Sequence, residues 1–89
     1  MRHLCYCFGI AIRQARDARG WSQEWLAERA DLNRSYVGEI ERGQVIPSLV
    51  TMEKLAVALN LRLPELLARC ERLRTESTDE KEALAAIAC

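Results

Sequence analysis

The sequence predicts an all-α protein, a compact bundle of five helices. Three observations carry this. Apolar residues recur at three- and four-residue intervals along most of the chain, and no strand-like alternation lasts more than a few residues. Serine or asparagine stands as a cap ahead of three of these runs, and the connections between them are short. The 89 residues are enough for one modest core and little else.

The first helix carries Leu4, Phe8, Ile12 and Ala15 on one stripe and stops at Gly20, which tolerates the left-handed conformation of a helix end. Ser22 caps the second, with Trp21 and Leu26 as the flanking staple and Leu26, Ala27 and Ala30 facing inward. Asp31 then occupies a tight corner where glycine would be least strained. Asn33 caps the third helix, with Leu32 and Val37 as its staple; Val37 and Ile40 are buried and Gly43 ends it. "QVIPS" is a loop. Ser48 caps the fourth helix, whose core stripe is Met52, Leu55, Ala56 and Leu59, and Asn60 closes it. Pro64 fits the first turn of the fifth, followed by Leu66, Leu67, Cys70 and Leu73. Past Leu73 the composition shifts to "RTESTDE" and then "EKEALAAIAC". Residues 4–73 are therefore expected to form the domain. Residues 74–89 are expected as an extension, either a tail or a short sixth helix capped by Ser77 and Glu80.

Lysine plus arginine and aspartate plus glutamate balance at 13 each, so a uniformly basic coat for nucleic acid is excluded. An anionic partner would have to be met by a local face, or by a dimer that doubles such a face. The apolar run "LCYCFGIAI" is far too short to span a bilayer and lacks a signal-peptide cleavage pattern, so a cytoplasmic protein with reduced thiols is expected. His3, Cys5 and Cys7 could hold a metal, but paired ligand clusters are missing, and reduced, partly buried thiols are the expectation for Cys5, Cys7, Cys70 and Cys89. No cofactor is expected. Nor is an enzyme: the single histidine stands near the N-terminus, and no glycine-rich phosphate loop occurs.

The second and third helices are each under three turns, too short to be stable alone, and must be held by the others. Counting from the caps, Arg34, Ser35, Gly38, Glu39 and Arg42 cannot face the core. They make a polar face starting at a helix N-terminus, and the DNA major groove admits one such helix. From periodicity alone, a solvated face accounts for these residues at least as well.

The segments "IRQARDARGWSQ", "SQEWLA", "NRSYVGEIERG" and "PSLVTMEKLAVAL" occur in order, and over residues 8–68 the chain closely resembles the Xre-type helix-turn-helix family, which includes phage repressors and Cro proteins. The "YVGEIERG" segment and the length look most like restriction–modification controller proteins. The resemblance implies a phage-repressor type of bundle and a sequence-specific DNA-binding transcriptional regulator acting on a palindromic operator as a homodimer. Base reading would fall to Asn33, Arg34, Ser35, Gly38 and Glu39, and phosphate contacts to Ser22, Gln23, Arg42, Gln44 and Ser48. Arg16 and Glu41 match an ion pair bridging the first and third helices. Dimer contacts in the family follow the fourth helix, which points here to Leu63, Leu66, Leu67 and Cys70.

Two residues depart from the family pattern. Asp31 replaces the corner glycine, at a cost of about 1 kcal/mol or less. Trp25 stands on the outer side of the second helix, where a small polar or acidic residue is usual. It could be covered by Leu84 and Ile87 of the C-terminal segment, stack on a DNA sugar, or mark a protein-partner surface together with that segment. Two other functions remain open at this level: an antitoxin-like interaction module with secondary DNA binding, and a thiol- or metal-responsive regulator.

Overall fold

The computed structural model describes the backbone of residues 4–88 and the side chains of residues 4–75. The expectations for His3, for Cys89 and for the side chains of Ser77, Glu80, Leu84 and Ile87 lie outside the described residues. The helices are α1 (Leu4–Ala18), α2 (Gln23–Ala30), α3 (Arg34–Glu41), α4 (Leu49–Ala58) and α5 (Leu63–Ala88). No separate sixth helix forms, because α5 continues through residues 74–88. "RTESTDE" contains neither glycine nor proline, and polarity without a breaker does not end a helix.

Helix α1 is the hub, packing on α5 along one side and on α3 along another, while α2 lies against α3 and α4. Its inner stripe is wider than the four-residue spacing suggested, since Cys7 and Ala11 are fully buried beside Phe8, Ile12 and Ala15. Leu4 falls off the stripe at 50% exposed. Leu26, Val37, Ile40, Leu55, Leu59 and Leu66 close the core from the other helices.

Ser22, Asn33 and Ser48 cap as expected: their side-chain oxygens accept from the N–H groups of Trp25, Ser35 and Thr51. At the opposite ends, α1 to α4 share one closing device, the paired backbone bonds of a Schellman turn. In α2 the N–H of Leu32 reaches the Ala27 carbonyl at 2.8 Å, and that of Asp31 reaches Glu28 at 3.2 Å. Leu61 and Asn60 repeat the pair on Ala56 and Val57 at 2.8 and 3.0 Å. Each turn needs a left-handed residue, and two of the four are not glycine: Asp31 and Asn60 both sit at φ 57°. Asp31→Gly is therefore expected to raise the unfolding free energy by roughly 0.5–1 kcal/mol, read as a shifted urea midpoint.

Gly9 marks the closest approach of two helices. A Cβ there would lie 2.3 Å from the Ile40 carbonyl oxygen and 2.6 Å from that of Glu41, so α1 crosses the end of α3 backbone against backbone. On the other side of α1, the Cys70 thiol donates to the Leu4 carbonyl at 3.7 Å. Burial pushes the Cys70 thiol up to about 11. The group is a neutral acid whose folded pKa exceeds its unfolded value, so its contribution is complete below the ordinary thiol pKa of 9.0 and disappears as pH rises toward 11. Denaturant midpoints at neutral pH and above pH 9 should diverge less in Cys70→Ala than in the wild type.

Candidate nucleic-acid interface

Two eight-residue helices, α2 and α3, meet at the Asp31 corner, and neither has the length to hold itself. A buried carboxylate fixes them to α1. Arg16 donates through Nε to Glu41 Oε2 at 2.7 Å and through Nη2 to Oε1 at 2.9 Å, a bidentate pair whose side chains are 11% and 3% exposed. Arg16 Nη1 also donates to the Trp21 carbonyl at 2.7 Å, and Gln23 Nε2 donates to Glu41 Oε1 at 2.9 Å. The hydrogen bond to Glu41 raises the Arg16 pKa further, against the opposing effect of burial. One carboxylate therefore joins α1, the corner before α2, the first residue of α2 and the last of α3. The expected ion pair is present and has a third member, the Gln23 amide, whose N–H reaches Glu41 while its oxygen faces Gly38.

Outside this tie, Gln23, Arg34, Ser35, Gly38, Glu39 and Arg42 line one open concavity. Gly38 forms its floor, where an added Cβ would meet only the ends of Arg42, at 3.1 Å, and Gln23, at 3.6 Å. Arg34 lies exposed with Nε 3.5 Å from Glu24 Oε1, a surface pair too solvated to hold it against a stronger ligand. Arg42 Nε donates to Gln44 Oε1 at 3.1 Å, which brings Gln44 to the same end. Ser22 and Asn33 are exposed at the helix N-termini, each with one oxygen committed to its cap. Ser48 is not part of the concavity; its hydroxyl serves Thr51 at the start of α4.

Residues 12–66 match the helix-turn-helix family model. The chain belongs to that family. It is 38% identical over 79 residues to the immunity repressor protein of Bacillus phage phi105, covering 83% of this chain and 55% of that one. It is 43% identical over 58 residues to control protein C.SmaI of Serratia marcescens, covering 65% and 69%. The crystal structure of the restriction–modification controller protein C.AhdI from Aeromonas hydrophila superposes with a TM-score of 0.68 at 50% identity, over 70% of this chain and 94% of that one. The chain thus spans little more than half the length of the phage repressor.

In this helix-turn-helix protein two of the four residues expected at a dimer contact face the protomer's own core. Leu66 and Cys70 are 0% and 1% exposed, because α5 turns that stripe onto α1. Leu63 is half-buried against the core and only Leu67 is exposed. Trp25 stays 44% exposed, though its ring meets Trp21 edge-on at 6.5 Å and the Arg29 guanidinium lies 5.3 Å from the Trp21 ring centre and 5.9 Å from that of Trp25. Among the described residues no helix is long and apolar enough to cross a membrane, and no three histidine, cysteine or acidic side chains gather as a metal site.

Proposed function

We propose that this helix-turn-helix protein is a sequence-specific DNA-binding transcription regulator that reads a palindromic operator as a homodimer. The observation that carries the reading is the outward face of α3: a polar surface built on a glycine floor and held rigid from behind by the buried Arg16–Glu41–Gln23 tie. A preorganised helix face of this kind suits the major groove. The exposed Arg34 fork matches guanine O6 and N7, a contact worth ~1–3 kcal/mol of base discrimination. Asn33 and Ser35 enter beside it, and Glu39 accepts from a cytosine amino group. Ser22 and the N–H groups at the start of α2, with Arg42, Gln44 and the backbone near Ser48, contact phosphates and set the register without reading sequence. Gln23 acts from the second rank, orienting Glu41 while its amide oxygen borders the groove-facing surface.

Residues 4–73 supply binding and dimerisation, and residues 74–89 extend α5 beyond them. With the charges of the chain balanced, one protomer binds weakly, and two on one duplex provide the affinity. Control then follows protein concentration through dimerisation. A thiol switch at Cys70 is disfavoured, since a buried thiol raised to about 11 is protonated at neutral pH. No enzymatic activity is proposed.

Selection from a random duplex pool tests this reading. The expected outcome is an enriched inverted repeat with half-site centres about one helical turn, ~34 Å, apart. A pool that stays random over successive rounds would overturn it.

A further inference from the structure

Helix α4 exposes valines on the side away from the core. Its core side is Leu55, Ala56 and Leu59, all buried. On the opposite side Val50 and Val57 are 63% and 70% exposed, and Ile46 and Leu49 just before them are 81% and 68% exposed. Among the described residues these are the four most exposed large hydrophobic side chains, and all belong to α4 or the loop that leads into it. Large apolar side chains gathered this closely on a surface mark a contact site.

The charges between the valines indicate what covers it. Val50, Glu53, Lys54 and Val57 stand at i, i+3, i+4 and i+7 and so share one stripe. Glu53 and Lys54 are exposed. The stripe is self-complementary. If two α4 helices cross antiparallel about a two-fold axis between Glu53 and Lys54, Val50 meets the partner's Val57 and Glu53 meets the partner's Lys54. Each contact then occurs twice, as a two-fold interface requires. A DNA phosphate backbone would not pair with Glu53, and a bilayer would accept neither charge.

We propose that the outer face of α4 is the seam between two copies of this chain, packed antiparallel with Val50 and Val57 as its apolar contacts and Glu53–Lys54 as its reciprocal ion pairs. The proposal rests on the homodimer reading and places the contact on α4, where that reading had looked to α5. The seam from Val50 to Val57 is only about two helical turns long, too small to bury the ~1,600 Å² of a standard interface, so the free dimer is weak and DNA completes it.

Sedimentation equilibrium of the full chain tests the seam, with helicity followed by circular dichroism to verify that each variant is folded. Val57→Glu is expected to weaken dimerisation by about tenfold or more while the protomer stays folded, because the side chain is on the surface. Glu53→Lys sets lysine against lysine twice and should also weaken it. Glu53→Lys combined with Lys54→Glu exchanges the partners and should return the constant to near the wild-type value. A dimer unaffected by Val57→Glu would overturn the α4 seam and leave the homodimer reading intact, with the contact elsewhere. Failure of the double exchange to restore what Glu53→Lys loses would overturn the antiparallel register. Loss of DNA binding by Val57→Glu with unchanged dimerisation would show that the face meets DNA instead. A wild type that stays monomeric even on the selected duplex would overturn both the seam and the homodimer.

Discussion

Glu41→Ala is expected to cost about 3–5 kcal/mol of folding free energy, a large fraction of the ~5–15 kcal/mol that holds a domain of this kind. The substitution removes every side-chain partner of the Arg16 Nε and Nη2 donors and the partner of the Gln23 amide, and leaves a guanidinium that is 11% exposed with only the Trp21 carbonyl and, at 3.4 Å, the solvated Asp17 carboxylate. The loss arises from the orphaned charge more than from the pair's own worth. Arg16→Met combined with Glu41→Leu should therefore recover part of it, since no buried charge is then left unpaired and only the neutral Gln23 amide and Trp21 carbonyl lose a partner. Urea denaturation followed by circular dichroism reads both. DNA affinity should fall further in Glu41→Ala than in the double variant, because the orphaned Arg16 charge there disturbs the α1–α3 contact that positions α3. Equal stability losses in single and double variants would mean that packing around the tie, and not charge, is what matters.

Gly9→Ala is expected to cost about 2–3 kcal/mol, although alanine gains ~1 kcal/mol over glycine in a helix interior. The new methyl would stand 2.3 Å from the Ile40 carbonyl oxygen, a backbone atom that cannot rotate away, so α1 and α3 must separate. Gly38→Ala is the internal comparison. Its methyl would meet only the flexible ends of Arg42 and Gln23, so stability should hold or rise slightly while DNA binding drops as the groove-facing floor fills. If both substitutions are neutral to stability by thermal unfolding, the tight α1–α3 crossing is not a constraint on the fold.

The contrast between these two glycines shows where sequence reasoning reaches its limit. Caps and stripes were legible because they depend on neighbours within four residues. Ser22, Asn33 and Ser48 cap where expected, and Asp31 adopts the left-handed corner as its side chain allows. Gly9 was passed over, though a glycine inside a helical run was a usable sign of close backbone approach. The bond from the Gln23 amide to Glu41 is not legible, because a position on α2 does not reveal a carboxylate arriving from the end of α3. Leu66 and Cys70 illustrate a different limit. Periodicity identifies the apolar side of a helix, but whether that side meets its own core or a second copy depends on how α5 lies on α1. The same ambiguity applies to α4: spacing identifies its core stripe, whereas the exposure of Val50 and Val57 depends on how the other helices pack around it.

The most direct test of groove reading by α3 is fluorescence anisotropy with the selected duplex and a shuffled one, at two salt concentrations, for the wild type and Arg34→Ala. The account predicts tight binding to the selected duplex alone. Arg34→Ala should lower that affinity by ~1–3 kcal/mol and leave weak, salt-sensitive binding to the shuffled duplex nearly unchanged. Equal loss on both duplexes would make Arg34 a phosphate contact, and no loss on either would remove α3 from the groove.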